Sequence, residues 1–375
     1  MSSAGTLGDL REGLGLSGIV VTSPLNTQFL TGCLILTQRL LPDRLAAVVS
    51  AAEGEAFVVC DFEERQARQE STIEEIRTYK EFASSPIDVA ARTLRELGGD
   101  GTVGFESRHL PAHHYLELTS ALPGAQFVPI DLELSRLRAV KTSAEIDLLR
   151  AAFIATDAAI AAGFTQARPG ESTKTMVKRM KRAMLDGGAD DTAFAVIGAA
   201  ADTLDGHPVA GDTPIPTGAP VRTDFGGHFR GYYTDLARSA FFGEAGSEQA
   251  DSYRRLWAAF EDLLAAVQPG AVAGDLYAVG QNAMTAHGLE TTSTNGKWEM
   301  PHVGHGIGLE VHEYPVLEAR ETARLEPGMI VCLELMYTKP GEYRLHVEDA
   351  VLVTDDGSEI LSRSRDWSEP LAIGT

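Results

Sequence analysis

Apolar residues in the first third of the chain fall into short continuous runs with amphipathic stretches between them. Residues 17–21, 46–49 and 56–60 have the length and Val/Ile/Phe content of buried strands. Residues 87–97 put Val89, Leu94 and Leu97 on one side of a helix. The pattern predicts an α/β unit ending near Arg136, with no catalytic constellation inside it.

Thr142-Ser-Ala-Glu145 reads as a capping box opening the second part: a Thr oxygen for the first free amides and a Glu three residues on. The helix behind it carries Ile146, Leu149, Phe153, Ile154 and Ile160 near a 3.6-residue period. A second helix is expected over 174–185, after Pro169-Gly170, and strand-like sequence from there to about residue 240. Helices over 252–267 and 273–286 follow, and the chain closes on strands over 329–337 and 345–353.

Length changes this picture only by counting domains: 375 residues suit two. A formal charge of −21 repels phosphate backbones and anionic lipid, so nucleic acid and membrane are not expected partners. No apolar run reaches bilayer-spanning length, and residues 1–16 lack the basic start and apolar core of a secretory signal. Cys33, Cys60 and Cys332 are odd in number and far apart, which points to a reducing cytoplasm.

Candidate chemistry lies in two acid-bearing hairpins. In residues 220–239, Asp224 and Asp235 flank a Gly-rich turn; a turn centred on Phe229–Arg230 would oppose them directly, with Cβ atoms about 5 Å apart. In residues 329–349, a turn centred on Gly341 opposes Glu334 to Glu348. Either pair alone is the usual solvated face of a hairpin. Both lie in apolar β segments, however, where unpaired charge is expensive, and a Gly-rich loop carrying His305 and His312 lies between them. No Gly-Lys-Ser/Thr follows that loop, so it is not a phosphate-binding P-loop.

Four carboxylates with one imidazole carry about −4, which two divalent cations and a bridging hydroxide bring close to neutral. Such a site lowers the pKa of bound water and polarises a carbonyl. Oxygen-rich ligation with one His favours Mn, Co or Fe over structural Zn.

At these residues the chain resembles the pita-bread metallopeptidases: Xaa-Pro aminopeptidase, prolidase and methionine aminopeptidase. The signature Gly304-His-Gly-Ile-Gly-Leu-Glu-Val-His-Glu313 and the spacings 11, 70, 29 and 14 between Asp224, Asp235, His305, Glu334 and Glu348 carry the resemblance. Residues 20–32 resemble the entry to a creatinase-type N-terminal domain. The resemblance implies an α/β creatinase-like domain over 1–137 and an α+β pita-bread catalytic domain over 138–375. It also implies two divalent ions, manganese first with cobalt, iron or zinc as alternatives. By the same resemblance Asp224 holds one ion, Asp235 and Glu348 bridge, and His305 and Glu334 complete the second. Glu334 is then the general base, His207 the upstream substrate-binding His and His312 the residue that stabilises the tetrahedral intermediate. Homodimers, and a small peptide with proline after the scissile bond, are the implied assembly and substrate.

Three departures stand out. Pro301 replaces a His four residues before His305, with His302 three before; Glu334-Leu-Met replaces Glu-Pro-Gly; and His346 stands at the usual Arg of Arg-Ile-Glu-Asp. They leave open a non-peptide amide or amidine hydrolase, or a lyase, on the same fold. A non-catalytic binding module is the reading from another class, and such proteins usually lose metal ligands; here all five are present.

Overall fold

The computed structural model describes residues 6–41, 43–289 and 300–375, so the first five residues of the N-terminal stretch considered above lie outside it. The chain divides into two compact units, 1–138 and 139–375.

The first unit is built on β1 (Gly18–Val21), β2 (Ala47–Ala51), β3 (Gly54–Cys60), β4 (Ile76–Tyr79), β5 (Thr102–Phe105) and β6 (Gln126–Pro129), in the order β4-β3-β2-β1-β5-β6. Both faces are covered, which is why the strands read as unbroken apolar runs. Val20, Val49, Val58 and Val103 pack on one side with Ile87, Ala90 and Leu94 of helix Pro86–Glu96. Their alternates Ile19, Val21, Val48 and Phe57 face the other side with Ile130 and Leu134. The 20–32 motif closes one strand end: Ser23 caps helix Pro24–Thr31, and Gly32 ends it at φ 74°. Buried Glu106 accepts bonds from Ser23 N (2.8 Å) and Asn26 Nδ2 (2.6 Å). That motif is therefore a turn fastening.

The second unit holds two sheets. One runs β16 (Ala372–Ile373), β10 (Leu236–Phe242), β8 (Ala219–Phe229), β7 (Asp191–Ala199), with β9 (Tyr232–Tyr233) also on β8. The other runs β12 (Glu313–Glu318), β11 (His302–Gly306), β13 (Ile330–Lys339), β14 (Tyr343–Val353), β15 (Ser358–Ile360). Ser239 on β10 fastens them, its Oγ donating to His346 O (3.1 Å) and accepting from His346 N (2.9 Å) on β14.

Helix Ser143–Thr165 starts at the expected capping box, Thr142 with Glu145. Leu149, Phe153 and Ile160 are buried, but Ile154 is 41% exposed, because neighbours on a helix point about 100° apart and Phe153 takes the core position. By length and hydropathy this is the one helix among the described residues able to cross a bilayer. Its Asp157 is instead fully buried and paired with Arg238, as in a core helix. Helices Thr173–Asp186 and Ala273–Ala286 fall where expected. Helix Ser247–Ala265 begins five residues before the expected Ser252, since its first turn is polar and is capped by the Gln249 side chain on Gly246 N (2.8 Å).

Candidate metal centre

The second hairpin has the register expected of a turn centred on Gly341: Glu334 opposes Glu348, and Gly341 sits at φ 75°. The first hairpin is shifted. Its turn is centred on Arg230–Gly231, both at positive φ (51° and 95°) as a type I′ turn requires, with Arg230 N donating to Asp190 Oδ2 (2.5 Å). Asp224 therefore opposes Ala237, and Asp235 falls in the gap between β9 and β10. Asp235 and Ala237 still share a sheet face, so the two acids are diagonal neighbours and their carboxylates converge without direct opposition.

The expected Gly-rich loop is a strand at its first half. His305 lies on β11, paired with Cys332 on β13 and Val316 on β12. Gly304 has φ 149°, and a Cβ there would run into the Cys332 carbonyl; a Cβ on Gly306 would lie 2.5 Å from Tyr314 O. We expect Gly304→Ala to destabilise the fold by about 1–3 kcal/mol through strain and displaced pairing at His305, read by thermal denaturation. An unchanged melting temperature would show that the close approach is unimportant.

Donor atoms of Asp224, Asp235 and Glu348 lie within 4.8 Å of one another, as do those of Glu334, His346 and Glu348, and those of Asp235, His305 and His312. Asp235 and Glu348 each belong to two of these groups. His305 Nδ1 lies 3.0 Å from Gly306 O, which fixes the ring so that Nε2 faces Asp235 Oδ2 and Glu348 Oε1, both at 3.8 Å. Asp224 Oδ1, Asp235 Oδ1 and Glu348 Oε1 are buried with no hydrogen-bond partner. Orphaned carboxylate oxygens crowded together in a core fit cation ligation, because among the described residues no hydrogen-bond donor offsets the desolvation of these three oxygens.

The electrostatics agree. Burial, followed by the neighbouring carboxylates, pushes Asp235 and Glu348 well above the usual range. Burial works the same way on Glu334, but its contacts with His302 and His346 hold it well below. His302 Nδ1 lies 3.2 Å from Glu334 Oε1 and His346 Nε2 3.0 Å from Oε2, so the two histidines among the three departures meet on one carboxylate. Burial lowers His305 to about 4, keeping it a neutral donor.

His312 is exposed at its edge and stacks on His305, ring centroids 3.8 Å apart. Glu313 anchors that turn by accepting from Leu309 N (3.0 Å) and pairing with buried Lys141 (3.2 Å). His207 is exposed on a turn at the rim. All seven residues singled out in the sequence line one cavity of about 270 Å³. Arg222, Arg344, Met300 and Met336 line it too and carried no sequence signal of their own; Arg222 stands two residues before Asp224 on the same strand face, a position that would have pointed to it.

Residues 147–355 match metallopeptidase family M24, and residues 6–140 match the creatinase/prolidase N-terminal domain. The chain is 31% identical to the probable dipeptidase PepE of Mycobacterium tuberculosis, over 92% of this chain and 89% of that one. Among solved structures it is similar to an Xaa-Pro dipeptidase from Bacillus anthracis (TM-score 0.87, 27% identity, 97% of both chains). It is also similar to dipeptidase PepE from Mycobacterium ulcerans (TM-score 0.83, 28% identity, 98% of this chain and 95% of that one).

Proposed function

The chain belongs to metallopeptidase family M24, and we propose that it is a two-metal peptidase cleaving small Xaa-Pro peptides at the bond before proline. The observation that carries this reading is the convergence of Asp224, Asp235, His305, Glu334 and Glu348 on one cavity of about 270 Å³.

By the family resemblance Asp224 would hold one ion and His305 with Glu334 the other, and Asp235 and Glu348, each belonging to two donor groups, would serve both. Bound divalent ions supply an acidified water and a polarised carbonyl. His302 and His346 keep Glu334 a carboxylate, the form needed both to ligate and to accept a proton. His312, which lines the cavity, would donate to charge developing on the carbonyl oxygen, and His207, also in its lining, would hold the substrate. Oxygen-rich donors with one imidazole favour manganese, with cobalt, iron or zinc as alternatives. Three buried, unpaired cysteines support a cytoplasmic setting; a homodimer rests on the family resemblance.

Chelation should abolish proline release from Ala-Pro, and added Mn²⁺ or Co²⁺ should restore it, followed by chromatography of free proline. No turnover across a broad Xaa-Pro panel, with metals confirmed bound, would overturn the peptide assignment. Turnover of a non-peptide amide in that same screen would favour the alternative opened by His302 and His346.

A further inference from the structure

The first unit gathers a set of donors that shares no residue with the centre described above. Asp43 stands in the turn between helix Leu36–Leu40 and β2, and His113 and His114 lie in the first turn of helix Ala112–Ala121. One donor atom from each of the three lies within 4.8 Å of the others. Consecutive residues on a helix point about 100° apart. The two imidazoles nevertheless turn toward each other, with ring centroids 3.7 Å apart and planes at 40°. Asp43 and His113 are exposed, whereas His114 is 3% exposed and its Nε2 is buried with no hydrogen-bond partner. The other nitrogen of that ring, Nδ1, lies 3.5 Å from Glu117 Oε2, about one helical turn on. A carboxylate at one imidazole nitrogen fixes the tautomer and leaves the lone pair on the other, the arrangement that orients metal-ligating histidines. Burial, and after it the neighbouring His113, lowers the pKa of His114, so this ring is a neutral donor.

We infer that Asp43, His113 and His114 form a binding site for a zinc-class divalent ion, with Glu117 positioning His114 from behind. The inference is independent of the peptidase reading. Two imidazoles and one carboxylate are a softer donor set than the acid-rich centre of the second unit, and they suit Zn²⁺ where that centre favours Mn²⁺. Three protein ligands leave a fourth tetrahedral position, which the exposure of Asp43 and His113 opens to water. The positive end of the helix macrodipole opposes a cation here, but Asp43 and Glu117 bring two negative charges to a doubly charged ion. A buried imidazole nitrogen without a partner costs free energy that a coordinate bond would offset. An ion so held would tie the turn carrying Asp43 to a helix seventy residues further along the chain.

The test is zinc bound per chain, measured by elemental analysis over a series of buffered free-zinc concentrations, in the full chain and in His113→Ala, Asp43→Asn and Glu117→Gln. At equal free zinc the unmodified chain should hold one ion more than His113→Ala. Glu117→Gln should keep that ion but need about 10- to 100-fold more free zinc for half occupancy, the usual effect of losing a carboxylate behind a ligating histidine. Asp43→Asn, which weakens a direct ligand, should need more still. Because His113 and Asp43 are exposed, their variants should melt like the unmodified protein without metal, while added Zn²⁺ should raise the melting temperature of the unmodified chain more than that of His113→Ala. Ala-Pro turnover with Mn²⁺ supplied should be the same in all four proteins. Equal zinc content in the unmodified chain and His113→Ala would overturn the site. So would an unchanged half-occupancy point in Glu117→Gln, since an adventitious pair of surface histidines needs no carboxylate behind it. A fall in Ala-Pro turnover parallel to the lost zinc would place the missing ion among the catalytic ligands and overturn the inference as well.

Discussion

Glu348→Gln should move metal-free and metal-loaded protein in opposite directions. Glu348 is 2% exposed, faces Glu334 across the hairpin and has an unpartnered Oε1. Without a cation, folding must either protonate Glu348 or bury its charge beside Asp235, Asp224 and Glu334; a neutral amide escapes that cost, so the metal-free melting temperature should rise. With metal supplied, the variant lacks a donor shared by two ligand groups; bound metal should fall from about two ions per chain to one or none, and kcat/KM on Ala-Pro by about 10³-fold or more. The metal-induced rise in melting temperature should shrink accordingly. Because Asp235 and Glu348 hold their protons well above the usual range, metal uptake by the unmodified protein should also release protons, measurable by calorimetry in buffers of different ionisation enthalpy. A variant less stable in both forms would show that Glu348 serves the fold, and the paired-cation argument would fail.

The hairpins show how far such a site can be read from sequence. Gly341 placed one turn correctly because a single Gly at positive φ marked the centre of a short loop, and two-residue periodicity did the rest. The other turn was displaced because Arg230 occupies a positive-φ position normally given to Gly or Asn, held there by Asp190, forty residues earlier in the chain. The displacement kept Asp224 and Asp235 on one face, so the grouping of acids was legible while their register was not. His302 and His346 were visible only as oddities; their joint contact with Glu334 depends on β11, β13 and β14 lying side by side. Arg222 differed, since its place two residues before Asp224 on one strand face was a local signal that could have pointed to it. Local rules see turns and periods, whereas strand order and cross-sheet neighbours come from packing.

Arg238→Met should produce the largest loss of stability of any substitution outside the ligand set. Arg238 lies on β10, two residues after the sheet position of Leu236, with its guanidinium fully buried between Asp157 (2.8 Å) and Asp349 (2.6 Å). It also donates to the Glu348 backbone carbonyl, so the strand carrying a metal donor is tied to the opposite sheet by one cation. Asp157 accepts further bonds from Ser364 N (2.7 Å) and Trp367 Nε1 (3.1 Å), and Asp349 from Ser362 Oγ (2.9 Å) and Arg363 Nε (2.6 Å). Removing the central cation leaves two buried carboxylates with only part of their compensation, a loss of about 3–5 kcal/mol for a broken buried pair. At about 2–4 °C per kcal/mol for a unit of this size, the melting temperature should fall by roughly 10 °C. Adding Asp349→Asn to Arg238→Met should recover part of that loss, because it removes a charge the first change stranded. Additive losses in the double variant would show that Arg238 acts through packing volume and the Glu348 carbonyl. In that case metal affinity should fall with stability in both variants, whereas a charge-pairing role predicts that it recovers together with the melting temperature.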